Sequence, residues 1–198
     1  MDNSGLIELK VLGITHSEVQ AGAYALLLET ADSTPDASRR IPIVVGVAEA
    51  QSIAVCLENI MPSRPLTHDL FVSLFHVFKI EPVRVVINSF KDGVFAALLT
   101  VGSNELTVDI DTRTSDAIAI ALRTRCPVYT TPDVLDQTSY LWQPDGGKPA
   151  KPVRLEDLPV EKLEARMQHY VDCEQYERAA KIQKIIAAKT GASNPAED

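Results

Sequence analysis

The chain has 198 residues, 45% of them hydrophobic, which is enough for one domain with a real core plus a smaller unit. No apolar run approaches the ~18 residues a membrane-spanning helix needs, and Met1-Asp2-Asn3-Ser4-Gly5 lacks the basic and apolar regions of a secretory signal. The net charge of −8 is uneven: residues 1–140 carry 10 Lys and Arg against 17 Asp and Glu. An acidic surface of this kind is a poor non-specific phosphate binder. A nucleic-acid contact must therefore rest on a local basic patch, on bound metal or on the C-terminal part. Cys56, Cys126 and Cys173 are odd in number and scattered. They read as buried thiols of a reducing cytoplasm, neither a disulfide framework nor a zinc site.

In chain order, 7–14 and 22–29 read as strands joined by a polar turn, and 31–38 as a loop flanked by Arg39-Arg40, a solvated loop end. Residues 41–45 form a short strand, with Pro42 suggesting an edge or a strand start. Gly46 breaks it, and 47–60 has helical character. Arg64-Pro65-Leu66-Thr67 reads as a turn ending in an N-cap. The helix after it carries Phe71, Leu74, Phe75 and Phe78 at i, i+3, i+4 and i+7, the spacing of a buried stripe. Strands over 83–90 and 94–101 form a hairpin across Lys91-Asp92-Gly93, because Asp-Gly suits a two-residue hairpin turn. A turn at Gly102-Ser103-Asn104 leads to a strand in which Leu106, Val108 and Ile110 alternate. Residues 117–125 form a helix, 128–129 a short strand and 133–137 a helical turn. The predicted fold is a mixed α/β, α+β-like domain over 1–138, with a largely antiparallel sheet and helices on one face.

Residues 139–159 are rich in Pro, Gly and Lys and read as a linker. Beyond it, Leu163, Met167, Tyr170 and Val171 line one helix, and Tyr176, Ala179, Ala180, Ile182, Ile185 and Ile186 line a second. They form an αα-hairpin over 160–190. Helices this short bury little alone, so the hairpin is expected to dock on the main domain or on a partner. Residues 191–198 read as a disordered tail.

The chemistry concentrates where the strand ending at Asp111 meets the next helix. Asp109 and Asp111 project from the face opposite Val108 and Ile110, about 7 Å apart. Thr114 or Ser115 is the expected N-cap, and Asp116 lies in the first turn. With Arg113 between them, these acids make either a cation site or a salt-bridged junction. A faint internal repeat sets Glu49-Ala50-Gln51-Ser52-Ile53-Ala54-Val55 beside Asp116-Ala117-Ile118-Ala119-Ile120-Ala121-Leu122. Each follows a strand, and each puts an acid in a first helical turn, where the helix dipole favours it in any case. Arg123 and Arg125 lie in a last turn, where cations suit the same dipole. No nucleotide-binding glycine loop or nucleophile motif is present.

Three blocks together resemble the bifunctional nuclease domain family over residues 5–138: Ile41-Pro42-Ile43-Val44-Val45-Gly46 with Glu49-Ala50, then Arg64-Pro65-Leu66-Thr67-His68-Asp69-Leu70, then 108–119. Thr114 stands where the family pattern has Pro; Thr can still cap the helix. The resemblance implies a compact, commonly oligomeric α/β domain with nuclease activity on DNA and RNA. Residues 172–183 are similar to the UVR motif, a helical hairpin that serves protein–protein contact.

Phosphodiester hydrolysis commonly uses one or two divalent metals held by carboxylates, and hard cations such as Mg²⁺ or Mn²⁺ want oxygen ligands. Asp109, Asp111 and Asp116 are the candidate ligands and catalytic acids. Glu49 closes the site if the two strand–helix junctions are neighbours. His68 and Asp69 are candidates for general acid or base, and Arg113 for phosphate contact. The expected function is a metal-dependent nuclease of low sequence specificity acting on DNA or RNA in the cytoplasm as a homo-oligomer, with a protein partner on 160–190 and no membrane. The rival is a non-catalytic oligomeric scaffold that recruits a partner through the hairpin.

Overall fold

The computed structural model describes residues 3–17, 22–32, 38–103, 106–142, 160–172 and 176–191, and the chain divides into two compact units, Met1–Lys151 and Pro152–Asp198. Most of the expected polar turn at 15–21, most of the 31–38 loop, most of the 139–159 linker, the hairpin turn with Cys173 and nearly all of the tail lie outside the described residues.

In the first unit the described strands form one eight-stranded sheet in the order β6-β5-β4-β7-β1-β2-β3-β8. Strands β1 (Ile7–His16), β2 (Tyr24–Thr30) and β3 (Ser38–Val45) make one antiparallel meander. Strands β4 (Glu81–Lys91), β5 (Val94–Gly102) and β6 (Thr107–Arg113) make a second. The short strand β7 (Val128–Thr130) joins them, antiparallel to β1 and parallel to β4. The mixed, largely antiparallel fold expected from the sequence is the fold observed. The β4–β5 turn has φ of 52° at Asp92 and 83° at Gly93, the left-handed pair that a right-twisted two-residue hairpin requires.

Two expectations for strands are corrected. Strand β8 (Tyr140–Trp142) pairs with β3 inside the segment read as linker, so the sheet runs past residue 139. Arg39 and Arg40 are not a solvated loop end. Both lie in β3, where Arg39 Nη2 donates to Asp136 Oδ1 at 3.0 Å and Arg40 Nε to Glu29 Oε1 at 3.0 Å. Asp136 is buried in α4 (Pro132–Thr138), so the Arg39–Asp136 pair clips that helix to β3.

Helices α1 (Val47–Leu57) and α2 (Thr67–Phe78) both pack on α3 (Thr114–Thr124), which lies against β4 and β5. Fully buried Leu26, Leu28, Ile41, Ile53, Val85 and Ile87 share one core with Ile118 and the small Ala117, Ala119 and Ala121 of α3. The buried stripe expected on α2 is not buried: Phe71 is 46% and Phe78 67% exposed, and Leu70, Leu74 and Val77 are exposed with them. Phe75 packs on the core. At 100° per residue it stands at one edge of the apolar arc, so packing through that edge leaves the rest of the arc in solvent.

The second unit is the pair α5 (Val160–Asp172) and α6 (Tyr176–Gly191), packed on each other through Leu163, Tyr170, Ala179 and Ile182. Val171 and Tyr176, expected in that seam, are exposed instead. Among the described residues no helix is long and apolar enough to cross a membrane.

Candidate active site

Two strand-to-helix junctions and the start of α2 meet at one cleft of about 700 Å³. Glu49 and Ser52 of α1, His68 of α2, and Arg113 and Asp116 at the β6–α3 junction line it, together with apolar Leu66, Phe71, Phe75, Ile110 and Ile120. Helical spacing sets these side chains. Glu49 and Ser52 are one turn apart on α1, and Asp116 and Arg123 two turns apart on α3, so each pair shares a face.

Arg113 is the N-cap residue of α3 and holds the acids of both junctions. Its Nε lies 2.7 Å from Asp116 Oδ2, its Nη2 3.0 Å from Asp116 Oδ1, and its Nη1 3.0 Å from Glu49 Oε1. Glu49 curls back over Gly46, where a Cβ would stand 2.5 Å from its Oε2. His68 lies behind Asp116, with Nε2 3.2 Å from Asp116 Oδ1 and Nδ1 2.8 Å from Ser52 Oγ. Deeper still, Arg123 donates through Nη2 to Ser52 Oγ at 3.1 Å and to the Ser52 carbonyl at 3.2 Å, and through Nε to Asp69 Oδ1 at 2.6 Å. Asp69 Oδ2 accepts the Leu66 N–H at 2.7 Å, capping α2.

These contacts make one polar chain across the helices: Asp69, Arg123, Ser52, His68, Asp116, Arg113, Glu49. Burial pushes the Asp116 carboxyl up, but hydrogen bonds from Arg113 and His68 outweigh it and hold Asp116 below the usual carboxylate range. Asp69 is likewise raised by burial and lowered by more, through Arg123 and the Leu66 N–H. Arg113 is raised above its ordinary value, first by its hydrogen bonds to Asp116.

Of the residues singled out in the sequence, Glu49, His68, Asp69, Arg113 and Asp116 come together. Asp109 stands outside the cleft, and Asp111 lines it without joining the polar chain. Register pairs Asp109 with Thr100 and Asp111 with Leu98, on the face opposite Ile110 and Leu99. Asp109 Oδ1 accepts the Thr100 hydroxyl at 2.6 Å, and Asp111 borders the cleft. The acids that neighbour each other are instead Glu49 and Asp116, through a shared cation. Thr114 is not the N-cap: it is the first residue of α3, and its Oγ1 is buried without a partner among the described residues.

Ser52 and Arg123 were not legible as site residues. In the sequence the helix dipole alone accounts for Arg123, and Ser52 carries no signal beyond standing one turn after Glu49. The i, i+7 spacing of Asp116 and Arg123 was the cue that could have found the second.

Residues 26–142 match the profile of the bifunctional nuclease domain. Two uncharacterized proteins of Mycobacterium tuberculosis, one from each of two strains, are each 34% identical to the chain over 158 residues, covering 79% of it and 90% of the relative.

Proposed function

The chain belongs to the bifunctional nuclease domain family, and on that premise we propose that it hydrolyses phosphodiester bonds of DNA, RNA or both with low sequence specificity. The observation that carries this reading is the convergence of Glu49, Arg113, Asp116 and His68 at one cleft.

Among the described residues lining the cleft, Arg113 is the one basic side chain apart from His68, and it is 67% exposed. A phosphodiester reaching the cleft meets that guanidinium, whose fork matches phosphate oxygens. It competes there with Glu49 and Asp116 and leaves a carboxylate free to accept a proton from water. The water oxygen forms the new bond to phosphorus and the bond to the leaving oxygen breaks. The carboxylate takes the water proton, and the leaving oxygen takes one from solvent. The apolar wall of Leu66, Phe71 and Ile110 suits a base or sugar face.

A divalent cation was the expected cofactor. Among the described residues no group of three or more His, Cys, Asp and Glu is placed to hold one. Asp109 is engaged by Thr100, and Asp116 by Arg113 and His68. With these donors so engaged, the steps above are written without a metal. Cleavage of labelled single-stranded DNA and RNA, with Mn²⁺, Mg²⁺ or EDTA and with Asp116→Asn and the Asp109→Asn/Asp111→Asn pair beside the wild type, tests both points. Loss confined to Asp116→Asn supports the cleft. Loss confined to the strand pair supports the acidic strand face.

A second reading, an oligomeric scaffold, is favoured by the exposed apolar arc of α2. In it a second copy covers Leu74 and Phe78, and the UVR-like hairpin over 160–190 takes a protein partner. Free thiols at Cys56 and Cys126 support a cytoplasmic setting under either reading.

A further inference from the structure

The direction of each hydrogen bond from Arg123 through Ser52 to His68 and Asp116 follows from Arg123. Arg123 has only donors, and its Nη2 donates to Ser52 Oγ. Ser52 is 5% exposed, and among the described residues its Oγ has one other partner, His68 Nδ1. Of these two partners only Nδ1 can accept the Ser52 hydroxyl proton. His68 then carries its proton on Nε2, which faces the Asp116 carboxylate. The opposite tautomer fails twice: it leaves the Ser52 hydroxyl proton without an acceptor among the described residues, and it sets the Nε2 lone pair against a carboxylate. A doubly protonated ring fails on the first count.

We infer that His68 is held as the neutral Nε2–H tautomer by Ser52 and Arg123, and that Asp116, not His68, is the proton acceptor of the proposed reaction. The second half rests on the function proposed above; the first does not. Exposure agrees with the assignment, since the Asp116 side chain is 28% and the His68 side chain 11% exposed. The imidazole is the inner member of the couple and the carboxylate the outer one. His68, Ser52 and Arg123 are positioning residues: they aim one Asp116 oxygen while Arg113 holds both, and Arg113 yields to substrate.

Two measurements on the full chain test this. In the ¹⁵N spectrum of the wild-type protein near neutral pH, the His68 Nε2 signal is expected in the protonated range and Nδ1 in the imine range, without averaging between tautomers. Ser52→Ala is expected to move the Nδ1 signal and bring in the second tautomer, and Ser52→Thr to restore the wild-type pattern. A proton on Nδ1 in the wild type, or an unchanged spectrum in Ser52→Ala, overturns the wiring. The wild-type spectrum decides even where a variant fails to fold.

In cleavage, His68→Ala is expected to lower kcat about 10- to 100-fold, the worth of one hydrogen bond to a charged group. His68→Gln, whose amide N–H can replace the donor, is expected to recover most of it. Were His68 the base, Gln would fail as Ala does, by about 10²–10⁴-fold, and the assignment of Asp116 would fall. Absence of cleavage by the wild type overturns the catalytic role and the proposed function together, while the tautomer stands or falls on the spectrum.

Discussion

Glu49 and Asp116 hold one guanidinium between them, Arg113 Nη1 at 3.0 Å from Glu49 Oε1 and Nε at 2.7 Å from Asp116 Oδ2. Each acid stands in the first turn of a helix that directly follows a strand, α1 after β3 and α3 after β6. The two helices pack together, which turns a faint sequence repeat into two halves of one site. Arg113 is 67% exposed, so an anion in the cleft can compete with the two carboxylates for it, and the chemistry proposed for the cleft depends on that competition.

Gly46 tests the Glu49 half without touching the polar groups. A Cβ there would stand 2.5 Å from Glu49 Oε2. The backbone at Gly46 is ordinary extended chain, φ −71° and ψ 168°, so Ala fits it. Gly46→Ala is expected to keep the melting temperature within a few degrees while swinging the carboxylate off Arg113. Cleavage should fall as in Glu49→Ala, and adding Gly46→Ala to Glu49→Ala should change nothing further. A further loss in the double variant would show that Gly46 acts by another route.

The lowered carboxyls set the acid limit of stability. Asp69 and Asp116 are both held below their ordinary value in the folded chain. Between that folded value and the unfolded one, about 3.9, the unfolded chain binds more protons, so stability rises with pH and levels off above. Their contribution is complete above the unfolded value and is lost as pH falls through the folded one. Melting temperature against pH below about 5 should fall less steeply in Asp69→Asn than in the wild type. Parallel curves would show that Asp69 has no such linkage.

Arg39 and Asp136 carry a structural counterpart. The Asp136 side chain is 4% exposed and faces Arg39 at 3.0 Å. Arg39→Ala leaves that charge buried, at a cost of about 3–5 kcal/mol. Replacing both partners by apolar residues of similar size is expected to cost much less. Urea unfolding of the two variants measures the difference, and equal losses would show that the charge pairing is not what Asp136 requires.

The apolar arc of α2 separates the scaffold reading from a monomeric one. If a second copy covers Leu74 and Phe78, Leu74→Asp with Phe78→Asp should give a folded monomer by sedimentation, against a larger wild-type species. A wild type that sediments as a monomer at every concentration removes this reading.

The fold was legible where local chemistry decides it. Asp92-Gly93 announces its hairpin because few residues accept two successive positive φ values. The α2 stripe announced a helix correctly and its burial wrongly, since periodicity reports which residues share a face and not what covers that face. The site was legible in its acids and in His68. Asp109 and Asp111 are visible in the sequence as neighbours on one strand, but Asp116 meets Glu49 only through a contact of two helices far apart in sequence. Ser52 and Arg123 show the same limit: their roles exist only once α1, α2 and α3 meet.

The most direct measurement is cleavage of end-labelled single-stranded DNA and RNA by highly purified wild-type protein and by Asp116→Asn of matched thermal stability. Cutting by the wild type, reduced by about 10²-fold or more in the variant, is the expected result. Equal cutting by both proteins, or none by either, would contradict the placement of a hydrolytic site at this cleft.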